Sequence, residues 1–495
     1  MSDPIFLAVD IGAGSGRVFL GSTKKSRLSV KEVFRFPNTM RKKGGCLHWD
    51  IHDIFGNVVK GLRIGAEAGS RPVCAVGIDT WGVDFGLLDE NGSLLGLPFA
   101  YRDSRNEQAV AEYFTLIPRE TIYALTGIQF LQFNSLYQLY ALKKFNPEML
   151  ARADKLLFIP DLINYFLTGE KATEFTYATT SQMFNPLKRR WEQRFFEVMN
   201  VPSSLMLSVV DPGTTLGSVR ESVKLGPRLA GALVLAVASH DTAAAVAAVP
   251  ADGRDWAFIS SGTWSIMGVE RDAPVITERT LRLNFTNEGG IGGTFRLCKN
   301  ISGLWLLQEC RRAWSAAKEY NYEELINGTR SAPVFRALVD PDWAGFLNPN
   351  NMPEAIDTYC LKTKQPAPQN PSDYVHCILE SLALKYRYVL DELRTVHSHP
   401  VRKLHLIGGG VQNTRLCQWT ADATELPLTA GPAEATAVGN LLVQGLGTGV
   451  FQSIEEMRAV VRNSFAFKEY QPRITNDWEG TFLRFRDLVE QTTGL

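Results

Sequence analysis

An α/β protein built as two long halves is the fold class this sequence predicts, on three observations. A strand, a glycine-rich turn and a second strand open the chain in "IFLAVDIGAGSGRVFLGS". The same theme returns after residue 240, in "WAFISSGTWSIMGVE". A strand, a triple glycine and a helix follow in "KLHLIGGGVQNTRLCQWTADAT". The 495 residues suffice for two substantial cores.

Taken in order, a loop near residues 37–47 follows the first strands, and the basic run Arg41-Lys42-Lys43 beside Gly44-Gly45 reads as its solvated tip. "LHWDIHDIFGNVVKGLRIGAEA" predicts a strand leading into a helix capped by Asp50. "VCAVGIDTWGVDFGLLDENGSLLG" gives two apolar runs with a hairpin signal at Glu90-Asn91-Gly92. Residues 106–205 carry helical spacing and predict an inserted helical subregion. "VLAVASHDTAAAVAAVP" runs from an apolar strand into a helix of small residues, with His240 and Asp241 at the junction. Beyond it, "ILESLALKYRYVLDEL" places Leu379, Leu382, Tyr386, Val389 and Leu393 on one helical face. The joint between the halves falls near residues 241–255, so the expected domains are 1–245 and 246–495.

Lys plus Arg and Asp plus Glu both number 52, so no net charge draws the chain to phosphate backbones or anionic lipid. Neither nucleic acid nor a membrane is expected as partner, and no obligatory protein partner is signalled. The seven cysteines (46, 74, 298, 310, 360, 377 and 417) contain no C-x-x-C pair, which predicts reduced thiols rather than a disulfide framework or zinc site. "MSDPIFLAVD" lacks a basic leader region, and the apolar window Leu233–Val249 is interrupted and too short to span a bilayer. A cytoplasmic location is expected.

Several constellations can carry chemistry, each with a purely structural alternative. Asp10-Ile-Gly-Ala-Gly-Ser-Gly-Arg17 offers backbone N–H groups to phosphate oxygens, with Asp10 able to hold magnesium through water; its other reading is a glycine-rich hairpin. It matches neither G-x-G-x-x-G nor a Walker A loop. Ser260 to Ser265, with Gly262 and Thr263, could bind phosphate or form an ordinary turn. Gly408-Gly409-Gly410 suits a purine or phosphate, and equally a tight turn with close helix packing. Asp241 could accept a proton from a hydroxyl or cap the next helix. Asp79, Trp81 and Asp84, with Arg102, Asp103 and Arg105, suit a sugar or a surface hairpin with salt bridges.

As an ordered set, "AVDIGAGSGRV", "IDTWGVDFGLLD", "YRDSR", "ASHDTAAAV", "SSGTWSIMG", "NEGG", "KNISGLWLLQE" and "LIGGGVQNTRL" resemble the FGGY carbohydrate kinases, from residue 6 to about 440. The resemblance implies two ribonuclease-H-like domains of the actin-like ATPase superfamily, with the active site in the cleft between them. It makes the first domain sugar-binding and the second nucleotide-binding, with the C-terminal helix packing back on the first. It implies ATP and Mg²⁺ as cofactors and a small sugar as substrate, L-rhamnulose foremost, to give the 1-phosphate. L-fuculose and xylulose are the alternatives, and a nucleotide switch of the actin or chaperone kind is the rival of another class. By the resemblance, Ala13, Gly14, Ser15, Gly16, Arg17, Thr263, Gln308 and Gly409 bind ATP, and Asp10 lies near the metal. Gly82, His240, Asp241, Thr242 and Asn300 contact sugar, and Asp241 is the general base. Thr420 and Thr424 stand where some relatives have cysteines, which argues against a disulfide there. Residues 450–495 carry no motif.

Overall fold

Seven consecutive buried residues form the strand β1, Ile5–Ile11, as expected of a strand covered on both faces. The computed structural model describes residues 3–24, 26–315, 318–321, 324–326, 334–473 and 477–492. β1 pairs antiparallel with β2 (Ser15–Lys24), which continues into β3 (Arg27–Pro37). On its other side β1 runs parallel to β4, Ala75–Thr80. β4 in turn runs parallel to β6 (Leu233–Ala236), whose outer neighbour is antiparallel β5, Thr214–Ser218. The sheet order is therefore β5-β6-β4-β1-β2-β3.

The same plan recurs in the second half. β7 (Trp256–Ser261) is antiparallel to β8 (Trp264–Arg271) and parallel to β10 (Lys403–Ile407). β11 (Leu428–Ala430) extends the parallel run, and β12 (Lys468–Tyr470) closes it antiparallel. With β9 (Phe295–Ser302), six consecutive strands stand in the order β9-β8-β7-β10-β11-β12, the order of the first sheet read from its other end.

The chain forms two compact units. Unit 1 comprises Met1–Asp252, Glu270–Leu297 and Ala435–Phe465; unit 2 comprises Gly253–Val269, Cys298–Glu434 and Ala466–Leu495. Two segments of the second half thus return to the first unit, a path that no composition shift in the sequence announces. The last helix, Trp478–Thr492, packs in unit 2 on the helices Pro371–Arg394 and Thr414–Thr424. The stretch that packs back on unit 1 is therefore Ala435–Phe465 rather than the C-terminal helix.

Local expectations fare unevenly. Asp50 does cap the helix Ile51–Ala68, accepting the Asp53 N–H at 3.0 Å. The turn at Glu90-Asn91-Gly92 closes as expected, with the Gly92 N–H on the Asp89 carbonyl and Leu88 bridged to Leu94. Helices fill the stretch from Arg105–Leu116 to Gln193–Met199. The loop expected at 37–47 is instead a hairpin, Met40–Lys43 against Cys46–Trp49. Gly44 and Gly45, at φ +59° and +86°, supply its two-residue turn. The basic run is exposed, but it lies on a strand. Among the described residues no cysteine is in a disulfide, and the Thr420 and Thr424 hydroxyls bond to carbonyls of their own helix.

Inside unit 1, the helix α1 (Asp241–Ala247) packs against the returning helix α2 (Ala435–Gly447). A Cβ built on Gly439 of α2 would lie 1.7 Å from the Ala244 carbonyl oxygen, so only glycine permits this approach. Beside it, Asn440 Nδ2 donates to Gly77 O and to Asp79 Oδ2 at 3.1 and 2.6 Å, and a turn further along Gln444 Nε2 donates to the Leu7 carbonyl at 3.0 Å. The helix is bolted to the floor of the sheet by two amides.

Candidate active site

In unit 1, groups gather at the carboxyl ends of β1, β4 and β6, where open α/β sheets place ligands. Asp10 is the penultimate residue of β1, opposite Arg17 on β2 and Asp79 on β4. The Arg17 guanidinium pairs with Asp10 Oδ2. Asp79 is fully buried. Burial, and then the charge of Asp10, push its carboxyl well above the usual range, against the hydrogen bond from Asn440. Its Oδ1 has no hydrogen-bond partner.

The turn from β1 to β2 is closed by the Gly12 N–H on the Ser15 carbonyl at 2.9 Å. Asn38, which the sequence reading missed, clamps it by donating its Nδ2 to Gly12 O and its backbone N–H to Gly14 O. The two glycines of interest differ. A Cβ on Gly16 would sit 2.1 Å from the Phe36 ring, whereas one on Gly14 would meet nothing within 4 Å. Neither adopts positive φ, so backbone freedom is not the reason for either. Gly16→Val should therefore destabilise the fold, by about 1–3 kcal/mol as an overpacked core does. Gly14→Val should leave the melting temperature in place and raise the KM for ATP. Chemical denaturation and ATP titration of both variants check this; equal stability losses would refute it.

At the end of β6 the backbone of His240 bridges to Thr80, and α1 begins. His240 is the N-cap residue by position, but the Thr242 N–H is shared between His240 Nδ1 at 3.1 Å and Asp241 Oδ1 at 2.5 Å. Asp241 stands at the first helical position with its side chain 34% exposed. Its Oδ1 accepts the Thr242 N–H at 2.5 Å and the Thr242 hydroxyl at 3.2 Å, and lies 3.1 Å from His240 Nδ1. Loss of water pushes the carboxyl up, but His240 and Thr242 outweigh this and hold it below its ordinary value. Asp241 is thus an ionised, oriented acceptor with an open face. A Cβ on Gly82, just past β4, would lie 2.7 Å from His240 Nε2, so this position is glycine to admit the imidazole.

The cluster around Trp81 is neither a surface hairpin nor a sugar platform. Trp81 is 5% exposed and lies against Trp49 with ring centroids 4.3 Å apart. Buried Asp84 gathers four donors: the indole N–H groups of Trp49 and Trp81 at 2.6 and 2.9 Å, the Tyr101 N–H at 3.2 Å and Gln138 Nε2 at 2.8 Å. The Arg105 guanidinium is sealed over Phe99, 3.5 Å from the ring centroid, and burial lowers its pKa to about 10. Asp103 accepts the N–H groups of Leu47 and Arg105, and Arg102 lies over Tyr101.

Burial raises the Asp84 carboxyl to about 6 against its four donors. In the unfolded chain it ionises near 4. The stability it contributes is therefore full below pH 4 and is lost as pH rises through about 6, roughly 3 kcal/mol in all. The stability difference between wild type and Asp84→Asn, measured by urea unfolding, should shrink by that amount between pH 4 and 6.5. A difference independent of pH would refute the raised value.

Unit 2 carries a matching set. The turn from β7 to β8 is closed by the Gly262 N–H on the Trp264 carbonyl at 2.8 Å, as Gly12 closes the first turn. Thr263 Oγ1 donates to Gln308 Oε1 at 3.1 Å, so these two predicted nucleotide contacts stand together. The Thr263 carbonyl accepts the N–H groups of Gly303 and Trp305, at the start of the helix that bears Gln308. After β10, Gly408 has φ +84°, and a Cβ on Gly410 would lie 2.2 Å from Ser261 Oγ. Gly409 alone is exposed with nothing within 4 Å of a Cβ. Of the three glycines, two serve the turn and the predicted contact is the free one. Asn300 lies half-buried on β9, in the part that belongs to unit 2.

Residues 5–248 match the N-terminal domain of the FGGY family of carbohydrate kinases, and residues 257–448 match its C-terminal domain. The chain belongs to the FGGY family of carbohydrate kinases. It is a phosphotransferase that uses ATP. The kinase is 44% identical over 484 residues to a rhamnulokinase of Bacteroides thetaiotaomicron, covering 98% of this chain and 99% of that one. It is 40% identical over 489 residues to a rhamnulokinase of Pectobacterium atrosepticum, covering 98% and 97%. Among solved structures, a gluconate kinase from Lactobacillus acidophilus matches with TM-score 0.80 at 16% identity, over 100% of this chain and 97% of that one. A Plasmodium falciparum glycerol kinase with ADP matches with TM-score 0.77 at 16% identity, over 99% and 98%. These two likenesses bear on the fold, a two-domain α/β architecture of the sugar-kinase kind. Among the described residues no helix of the kinase is long and apolar enough to cross a membrane.

Proposed function

We propose that the kinase phosphorylates L-rhamnulose at its primary hydroxyl, with Asp241 as general base. The observation that carries the chemistry is the Asp241 carboxylate, held ionised by His240 and Thr242 and one-third exposed at a strand end. The identity to rhamnulokinases over nearly the whole of both chains supports the substrate. The sugar oxygen bonds to the γ-phosphorus as the bond to the bridging oxygen of ADP breaks, and the hydroxyl proton passes to Asp241. Such transfer depends mainly on positioning and charge stabilisation.

Gly82, His240, Thr242 and Asn300 would contact the sugar. Ala13, Gly14, Ser15, Gly16 and Arg17, with Thr263, Gln308 and Gly409, would contact ATP. Among the described residues no cluster of three or more His, Cys, Asp or Glu forms a ready metal cage. Magnesium is commonly held by one or two carboxylates plus phosphates and water. Asp10 fits that role, with buried Asp79 Oδ1 unpartnered on the neighbouring strand. When bound, the ion neutralises charge on the transferring phosphates.

A ketose panel assayed for ATP consumption tests the reading. L-rhamnulose should give the highest kcat/KM and a 1-phosphate product. Faster turnover of L-fuculose or xylulose would overturn the substrate. ATP hydrolysis indifferent to sugar would favour a nucleotide switch.

A further inference from the structure

Glu174 is fully buried in unit 1 and lies far in sequence from every residue assigned above. It caps the short helix Phe175–Thr180: Oε1 accepts the Thr176 N–H at 2.8 Å, and Oε2 the Tyr177 N–H at 3.2 Å. Capping needs no more than a short polar side chain, and Asp, Asn, Ser or Thr is preferred there. Glu174 reaches further. Oε2 also accepts the Ser239 N–H at 3.1 Å and the Thr176 hydroxyl at 2.5 Å. The Thr176 Oγ1 in turn accepts the His240 N–H at 3.2 Å. On the other side, the Ser239 carbonyl takes the Thr80 N–H at 2.9 Å. The backbone immediately before Asp241 is thus held between β4 and one buried carboxylate.

We propose that Glu174 is a positioning residue of the phosphoryl transfer, fixing the Ser239–His240 backbone from which Asp241 is presented. The inference rests on Asp241 acting as the base. A capping role alone would leave two features without a reason, the extra methylene and the relay through Thr176. It would also bury a carboxylate for little return, since burial pushes this group up to about 7 in spite of its donors.

The test uses the full-length enzyme with two variants, and Asp241→Asn alongside. Glu174→Asp keeps the charge and the cap but withdraws the carboxylate from Ser239. Thr176→Val removes only the relay to His240. Each should lower kcat about 10–100-fold, as small displacements of a catalytic group do. The KM for ATP should stay within twofold, with kcat counted per nucleotide-binding molecule so that unfolded protein is excluded. Amide exchange at Ser239 and His240 should rise, and Thr176→Ser, which retains the hydroxyl, should recover most of the lost rate. Wild-type kcat per folded molecule in both variants, or a loss that Thr176→Ser does not recover, would overturn the proposal while an inactive Asp241→Asn left the base assignment standing. A fully active Asp241→Asn would overturn both.

Discussion

Asp241→Asn should fold as the wild type does, bind ATP and lose about 10²–10⁴-fold in kcat, equivalent to about 3–5 kcal/mol of barrier. The amide keeps an oxygen for the Thr242 N–H and hydroxyl, so the first turn of the helix retains its acceptor. What disappears is the basic oxygen facing solvent. Asp241→Ala is less clean, since it removes a charge at the start of the helix together with the nearer acceptor of the Thr242 N–H, and should cost about 1 kcal/mol of stability besides the activity. The low pKa adds a second readout. Because His240 and Thr242 keep the carboxyl ionised, its protonation should not limit kcat/KM as pH falls from 8 to about 5. A kcat within tenfold of wild type in the Asn variant would refute the assignment.

Gly439→Ala should be among the most destabilising single changes in unit 1, by about 3 kcal/mol or more. Propensity alone says the opposite, since alanine in a helix interior is favoured over glycine by about 1 kcal/mol. Packing reverses the sign: the new methyl would lie 1.7 Å from a backbone oxygen of α1, which has no side-chain torsion with which to yield. The two helices would have to part. Parting them disturbs α1, which begins at Asp241, and loosens the Asn440 bond to Asp79, so turnover should fall with stability. Urea unfolding and kcat on the same preparation check both effects. A variant as stable as wild type would show that the helices do not meet this closely.

Much of this was legible in the sequence, for identifiable reasons. The strand–turn–strand units, the Asp50 cap and the apolar face of the long helix follow from local rules of burial period and side-chain reach, which act over a few residues. The helix at Asp241 was legible too, although the neighbouring histidine shares its cap. The readings that failed concern partners distant in sequence. Trp81 and Asp84 look like a polar surface motif until Trp49 and Gln138 arrive to enclose them. Asn38 shows nothing of its grip on the first turn. The return of Ala435–Phe465 to unit 1 left one faint signal: Gly439, Asn440 and Gln444 are conspicuous in an otherwise apolar helix, and each is there for a neighbour more than 190 residues away.

The division of labour within the two glycine turns has a consequence for mutational surveys. Gly16 and Gly410 are each pressed against a side chain, while Gly14 and Gly409 face open space. A library scored by the amount of folded protein in cells would mark the first pair as intolerant and pass over the second. The same library scored by growth on the sugar would lose all four. The residues that appear only on subtracting one map from the other would trace where the nucleotide lies, without any ligand being added.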